Sequence, residues 1–110
     1  MDSRALEEVG CGTNVGKQVE RLASLAVKAG LRGLVCSPLE IAGLRAILPA
    51  HVQLVTPGIR ISKQPGDDQK RTLTPREALD AGANWLVIGR PISAAENPRA
   101  AAEAIRESLR

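Results

Sequence analysis

Cationic and amide side chains are concentrated in one stretch of the sequence, Val55–Arg71, which reads VTPGIRISKQPGDDQKR. Its candidate anion contacts are Arg60, Lys63, Gln69, Lys70 and Arg71. A further candidate pair, Gly89-Arg90, follows an apolar run. Glycine lets a backbone N–H approach an anion closely, and arginine can donate two parallel hydrogen bonds. These residues predict a site for an anionic ligand, with the long stretch as a lid over it.

The length of this stretch supports the lid hypothesis, because connections longer than about 12 to 15 residues without secondary structure are usually functional or disordered. Gly58, Pro65 and Gly66 could supply its hinge and turns. A solvated surface loop is the alternative, and the residues alone leave it open. Asp67 and Asp68 stand beside two basic residues, which favours a solvated charge cluster over a pair of catalytic acids.

Apolar runs and helix-start signals alternate along the chain. The runs Leu34–Cys36, Val52–Thr56 and Trp85–Ile88 lack polar alternation, which is typical of strands covered on both faces of a parallel sheet. Ser37-Pro38-Leu39-Glu40 and Thr74-Pro75-Arg76-Glu77 each combine a hydroxyl cap, a proline and a glutamate three residues after the cap. Both therefore predict the start of a helix, the first running to about Leu48 and the second to near Gly82.

Three more helices are predicted, over Asp2–Val9, over Val15–Ala29 and after Asn97-Pro98. The residues expected to face the core are Val15, Val19, Leu22, Ala23 and Ala26 in the second, and Ala101, Ala104 and Ile105 in the last. The order of elements predicts an α/β fold with parallel strands and right-handed crossovers. Ligands gather at the carboxyl ends of such strands, where Thr56-Pro57-Gly58 and Gly89-Arg90 stand.

Composition excludes several classes of protein. The chain has 110 residues, enough for one domain or part of one, and its 44% hydrophobic and 25% charged residues exclude disordered and collagen-like chains. A net charge of only +3 and the lack of Phe and Tyr argue against nucleic-acid binding. Apolar runs fall well short of the roughly 20 residues of a membrane span, and the first residues do not resemble a signal peptide. A cytoplasmic location is expected.

The remaining chemically active side chains are weaker candidates. Cys11 and Cys36 are typical of reduced thiols, and together with His51 they cannot form a metal cluster. His51 is interpreted as a surface residue. Trp85 and Cys36 are interpreted as core packing.

Four motifs in order resemble orotidine 5′-phosphate decarboxylase of the bacterial type: TPGIR at 56–60, GDDQKR at 66–71, Thr74-Pro75 opening a helix, and VIGRP at 87–91. The resemblance covers essentially the whole chain. It implies that residues 1–110 are the C-terminal segment, about three βα units, of a single (β/α)₈ barrel domain, incomplete by itself. The family converts orotidine monophosphate to UMP and CO₂ as a homodimer, without a metal or an organic cofactor.

Matching motif positions imply the site residues. Arg60, Gln69, Gly89 and Arg90 would hold the phosphate, and Pro57 would lie near the base. Phosphate binding, remote from the reacting carbon, would drive lid closure and assemble the site.

The family's catalytic Lys/Asp array belongs to earlier strands and has no counterpart here, so no catalytic residue is assigned and the isolated chain is predicted to be inactive. Met1-Asp2 resembles the end of an LTSMD segment that follows the family's fifth strand. An incomplete barrel has an open strand edge and an uncovered interior, so we expect a homodimer or association through that edge.

Two other functions stay open. The chain could be a non-catalytic phosphate- or UMP-binding fragment that complements a separate N-terminal half. It could also belong to another phosphate-binding barrel, such as a pentulose-phosphate epimerase or a hexulose-phosphate synthase relative. The stretch from TPGIR to DDQKR argues against those barrels.

Overall fold

Strands and helices alternate along the chain in a computed structural model, which describes residues 3–10, 12, 14–61 and 72–110. The helices are α1 (Ser3–Glu8), α2 (Val15–Lys28), α3 (Ile41–Ile47), α4 (Pro75–Ala81), α5 (Arg90–Ser93) and α6 (Pro98–Ser108), with a 3₁₀ turn at Pro38–Glu40, and the strands are β1 (Gly33–Val35), β2 (Gln53–Thr56) and β3 (Trp85–Leu86). The predictions made for Cys11, Lys63, Pro65, Gly66, Asp67, Asp68, Gln69, Lys70 and Arg71 lie outside the described residues.

The three strands form one parallel sheet in the order β1-β2-β3. Leu34 lies opposite Leu54, and Val55 lies between Val35 on one side and Trp85 on the other. The segment between β1 and β2 contains α3, and the segment between β2 and β3 contains α4. This arrangement confirms the α/β fold with parallel strands.

The hydrophobic core lies between one face of the sheet and helices α2, α3 and α4. Leu54 and Thr56, two residues apart on β2, are both completely buried on this face, as alternation along a strand requires. The core residues are Ala23, Cys36, Ile41, Leu44, Leu48, Val52, Leu54, Ile59, Ala78 and Ala83. The predicted burial of Cys36 is therefore confirmed, whereas Leu22, expected to face the core, is 56% exposed.

The other face of the sheet is open among the described residues. Val35 is 75% exposed and Trp85 is 62% exposed. Trp85 donates its indole N–H to Oε1 of Gln53 at 2.9 Å across the same face. The predictions that β1 is covered on both faces and that Trp85 packs in the core were wrong, because the described helices cover only the face that carries Leu54. We call Val35, Gln53, Val55 and Trp85 the open face.

Local side-chain hydrogen bonds explain where the helices begin. Thr74 Oγ1 accepts from the backbone N–H of Glu77 at 3.3 Å, and Glu77 Oε1 accepts from the N–H of Thr74 at 3.0 Å. Glu40 Oε2 likewise accepts from the N–H of Ser37 at 2.9 Å, and Asn97 Oδ1 caps α6. The predicted helix starts are confirmed, with the difference that the helix after Ser37 opens as a 3₁₀ turn.

Arg45 on α3 ties the amino ends of β2 and β3 together. Its Nη1 donates to the carbonyl oxygen of Val52 at 2.9 Å, and its Nη2 donates to Oδ1 of Asn84 at 2.7 Å. Asn84 Oδ1 also accepts from the N–H of Leu54 at 2.8 Å, and the Asn84 N–H donates to the Leu54 carbonyl at 2.8 Å. These bonds fix the lower end of the sheet, opposite the carboxyl ends where ligands gather.

Candidate functional site

The carboxyl end of β2 turns away from the sheet within two residues. The carbonyl of Thr56 still accepts from the N–H of Val87 at 2.9 Å, but Pro57 has no N–H to continue the ladder. Gly58 then adopts a φ of +75°, a conformation that glycine adopts without steric cost. An added Cβ at Gly58 would lie 3.5 Å from Cγ of Pro38. The turn therefore starts at Pro57, directly after β2, and lies against Pro38 of the 3₁₀ turn after β1.

The backbone at Arg60 is held in place by its buried neighbour Ile59. Ile59 is 5% exposed, belongs to the core, and pairs with Leu73 in an isolated parallel bridge. The N–H of Arg60 donates to the carbonyl of Leu73 at 3.0 Å. This bridge joins the chain on the two sides of residues 62–71. The Arg60 side chain itself is exposed.

The carboxyl end of β3 leads directly into the short helix α5. The carbonyl of Gly89 accepts from the N–H groups of Ile92 and Ser93, both at 3.0 Å. A Cβ built on Gly89 would meet no atom within 4 Å, so the space above this glycine is open. Helix α5 was not predicted from the sequence, although Pro91 near its start is a residue type that favours the first turn of a helix.

The two strand ends enclose a cleft of about 480 Å³. Its lining residues are Gly58, Ile59, Arg60, Val87, Gly89, Arg90 and Pro91. Within the part of the chain that the structure describes, neither Arg60 nor Arg90 forms an ion pair with a carboxylate. Two guanidinium groups on one cleft, without a carboxylate partner among the described residues, create a positive field that favours an anion.

Three of the predicted site residues meet in this cleft, namely Arg60, Gly89 and Arg90. Pro57 is exposed beside it but does not line it. Gln69 is outside the described residues. The other lining residues, Gly58, Ile59, Val87 and Pro91, were not predicted as contacts, although they belong to the TPGIR and VIGRP motifs.

The cleft has the chemistry of binding rather than of proton transfer. Among the described residues, its charged lining side chains are the two arginines, whose guanidinium groups donate hydrogen bonds and have no acceptor atom. Among the described residues, no group of three His, Cys, Asp or Glu side chains is placed to hold a metal ion. Elsewhere, burial raises the pKa of the Cys36 thiol, and the Glu40 carboxylate adds to the increase while Arg45 opposes it. The helices searched within the described ranges are all too short or too polar to cross a membrane.

Parallel strands with helices in their connections, and a cleft at the strand carboxyl ends, define this chain as an α/β protein with a ligand-binding sheet edge. Its residues 1–105 match the model of the orotidine 5′-phosphate decarboxylase / HUMPS family, to which the chain therefore belongs.

Named relatives and solved structures agree with this assignment. Orotidine 5′-phosphate decarboxylase of Opitutus terrae is 58% identical over 110 residues, which are 100% of this chain and 48% of that protein. The enzyme of Pseudomonas syringae pv. tomato strain DC3000 is 53% identical over 109 residues, 99% of this chain and 47% of that protein. A crystal structure of orotidine 5′-phosphate decarboxylase from Lactobacillus acidophilus superimposes with a TM-score of 0.81 at 36% identity, covering 99% of this chain and 44% of that one.

The chain thus spans about half the length of the curated relatives it matches, and the matched region is their C-terminal part. The predicted resemblance and the partial-barrel fold are confirmed. In a barrel of this class the helices form the outer ring and the opposite face of the sheet points inward. The open face of this partial barrel accordingly corresponds to the face that points inward in complete barrels of the class.

Proposed function

We propose that the cleft between β2 and β3 is the phosphate-binding part of an orotidine 5′-phosphate decarboxylase site. Arg60 and Arg90 would hold the phosphate of the nucleotide, and the backbone at Gly89 would approach it without a side chain in between. The observation that carries the proposal is the position of two arginines on one cleft at the strand carboxyl ends, neither of them ion-paired with a described carboxylate.

The family resemblance adds two contacts to this proposal. Gln69 would reach the phosphate from the segment after Arg60, and Pro57 would lie near the pyrimidine. The exposed position of Pro57 beside the cleft agrees with the second role. The reaction of the complete site would be the conversion of orotidine monophosphate to UMP and CO₂, in a cytoplasmic pathway of pyrimidine synthesis.

Residues 1–110 alone should bind but not turn over the nucleotide. The family's Lys/Asp array, whose lysine protonates the carbon that loses CO₂, has no counterpart in this sequence. Among the residues that the structure describes, the side chains lining the cleft contain no general acid to replace it. The second candidate function, a binding fragment that complements a separate N-terminal half, shares this expectation. The complementing fragment makes one additional prediction: adding a separate N-terminal half should restore decarboxylation.

Titration calorimetry with UMP tests the proposed site. We expect heat of binding with the wild-type chain, and affinity losses of about 10- to 100-fold in Arg60→Ala and Arg90→Ala, because each removes charge-assisted hydrogen bonds. Arg99→Ala is the matched control, since it removes the same charge from a side chain that is 89% exposed on α6. Equal affinity in Arg90→Ala and Arg99→Ala, or no heat with wild type, would overturn the proposal.

Binding of three ligands distinguishes a nucleotide site from the site of another phosphate-binding barrel. UMP, ribose 5-phosphate and uridine are titrated in parallel. Tighter binding of UMP than of ribose 5-phosphate supports a nucleotide site, while equal binding of the two favours a sugar-phosphate barrel. Uridine should bind weakly in either case, because it lacks the phosphate that the arginines hold.

We also propose that the chain associates through its open face and strand edges, as a homodimer or a larger assembly. The open face exposes large apolar side chains, with Val35 75% and Trp85 62% exposed, and exposed apolar patches of this kind are typical of interfaces. Sedimentation should show a species heavier than the monomer, with Trp85 fluorescence shielded from iodide. A monomer at all concentrations would contradict this.

A further inference from the structure

Thr56 is the one polar residue among the buried side chains that the structure describes. It is 0% exposed, and the core around it consists of apolar residues. A buried hydroxyl costs free energy unless it is hydrogen-bonded, and a valine would fill the same space without that cost. The hydrogen bond made by the Thr56 hydroxyl is therefore what distinguishes threonine from valine at this position.

The hydroxyl fixes the orientation of one peptide group at the cleft. Thr56 Oγ1 donates to the carbonyl oxygen of Pro57 at 3.1 Å. This carbonyl belongs to the peptide that joins Pro57 to Gly58. In a planar trans peptide the C=O and the N–H point in opposite directions. With the carbonyl held by a buried hydroxyl, the N–H of Gly58 must face away from that hydroxyl.

The N–H of Gly58 is a candidate donor to a ligand in the cleft. Gly58 lines the cleft together with Arg60 and Arg90. Within the described ranges, the Gly58 N–H donates to no acceptor. By contrast, the N–H groups of Cys36 and Val87 donate to the carbonyls of Val55 and Thr56. Backbone N–H groups of this kind are common donors to anions.

We propose that Thr56 is a positioning residue for anion binding: its hydroxyl holds the Pro57–Gly58 peptide so that the Gly58 N–H donates to an anion in the cleft. The identity of that anion, the phosphate of a nucleotide, rests on the proposed function. The orientation of the peptide does not depend on it. Thr56 acts through Gly58 and does not itself touch the ligand.

Two substitutions separate the hydroxyl from the packing of the side chain. Thr56→Val keeps the shape and removes the hydroxyl, and Thr56→Ser keeps the hydroxyl and removes the methyl group. Each full-length variant is titrated with UMP, its unfolding in urea is followed by circular dichroism, and the Gly58 amide is observed by ¹⁵N NMR. We expect Thr56→Val to bind UMP about three- to tenfold more weakly, the loss of one hydrogen bond, without loss of stability.

The serine variant and the NMR signal decide the outcome. The proposal is supported if Thr56→Ser binds UMP like wild type and if the Gly58 amide resonance moves in Thr56→Val but returns in Thr56→Ser. It is overturned if Thr56→Val binds like wild type, if both variants are weakened equally, or if the amide resonance does not respond to the hydroxyl. If wild type binds no UMP, the proposed function fails, and the Gly58 resonance still supports or overturns the positioning role.

Discussion

Arg45 and Gly82 are joined by two hydrogen bonds from one guanidinium group to one carbonyl oxygen, from Nε at 3.2 Å and from Nη2 at 3.0 Å. The two residues lie on different helical units, Arg45 in α3 and Gly82 at the end of α4. The same side chain reaches Val52 and Asn84 at the amino ends of β2 and β3. One arginine thereby connects both helix–strand units beneath the cleft.

Replacing Arg45 by methionine should destabilise the fold. The variant keeps much of the aliphatic stem but leaves the carbonyls of Val52 and Gly82 without their donor. We expect a loss of about 2–3 kcal/mol in the free energy of unfolding, measured by urea denaturation with circular dichroism. Arg99→Met is the control, because a side chain that is 89% exposed should change stability by less than about 0.5 kcal/mol. Similar losses of unfolding free energy in both variants would contradict a stabilising role of the Arg45 hydrogen bonds.

Gly82 and Gly43 should respond to alanine in opposite directions. Gly82 has a φ of +120°, and an added Cβ would lie 2.9 Å from Cγ of Arg45, so Gly82→Ala should cost about 1–3 kcal/mol. Gly43 lies inside α3, where its Cβ would approach only Oε1 of Glu20 at 3.9 Å. Gly43→Ala should therefore stabilise by about 0.5–1 kcal/mol. Thermal unfolding of the two variants beside wild type checks the sign of each effect, and equal signs would refute the prediction.

Much of this architecture follows from short-range sequence signals. The Thr74 and Ser37 helix starts were predictable because a capping box is encoded within four residues. The exposure of Val35 and Trp85 was not, because an apolar strand residue looks the same in sequence whether or not its face is covered. Coverage depends on which elements pack there, and those are distant in sequence. The same limit led to the wrong assignment of Trp85 to the core.

The cleft was predictable to the extent that it depends on strand order. Arg60 and Arg90 each follow a strand by four residues, and parallel neighbours place their carboxyl ends together, so the two side chains meet. The helix α5 was missed because it spans only Arg90–Ser93, too short for any periodic pattern. The contribution of Gln69 stays a prediction.

Alanine substitutions at Gly89 and Gly58 should have different effects on ligand affinity and on stability. The Cβ of Gly89→Ala would enter open space at a φ of −99°, so stability should change by less than about 0.5 kcal/mol. Because that space is where the phosphate would lie, UMP affinity should fall by about tenfold or more, equivalent to ~1.4 kcal/mol. Gly58→Ala should instead lose about 1–2 kcal/mol of stability, since its φ is +75°. Calorimetry and urea unfolding on both variants make the comparison, and an unchanged affinity in Gly89→Ala would argue against a ligand at that position.

The Cys36 thiol should resist alkylation until unusually high pH. Burial raises its pKa above the ordinary value of 9.0, so the native thiol stays protonated where an unfolded one ionises. The unfolded state therefore holds fewer protons above about pH 9, and the contribution of Cys36 to stability is present below that pH and declines as pH rises further.

Iodoacetamide labelling in a Cys11→Ser background measures this directly. At pH 8 the native rate should be at least about tenfold below the rate in urea, because only the thiolate reacts and the side chain is 6% exposed. The native rate should approach the denatured one only at higher pH. Equal rates at pH 8 would mean that Cys36 is accessible and unperturbed.

The bridge between Ile59 and Leu73 has a consequence for how this region can be altered. The bridge pairs a core residue before Ile61 with a residue after Thr72, so the backbone of Arg60 and the cap at Thr74 are held by contacts among described residues. Doubling the length of a closed segment costs only about 0.6 kcal/mol in loop-closure entropy. We therefore expect that a sequence of different length between Ile61 and Thr72 would change ligand binding, through the loss of Gln69, more than it would change the stability of the fold.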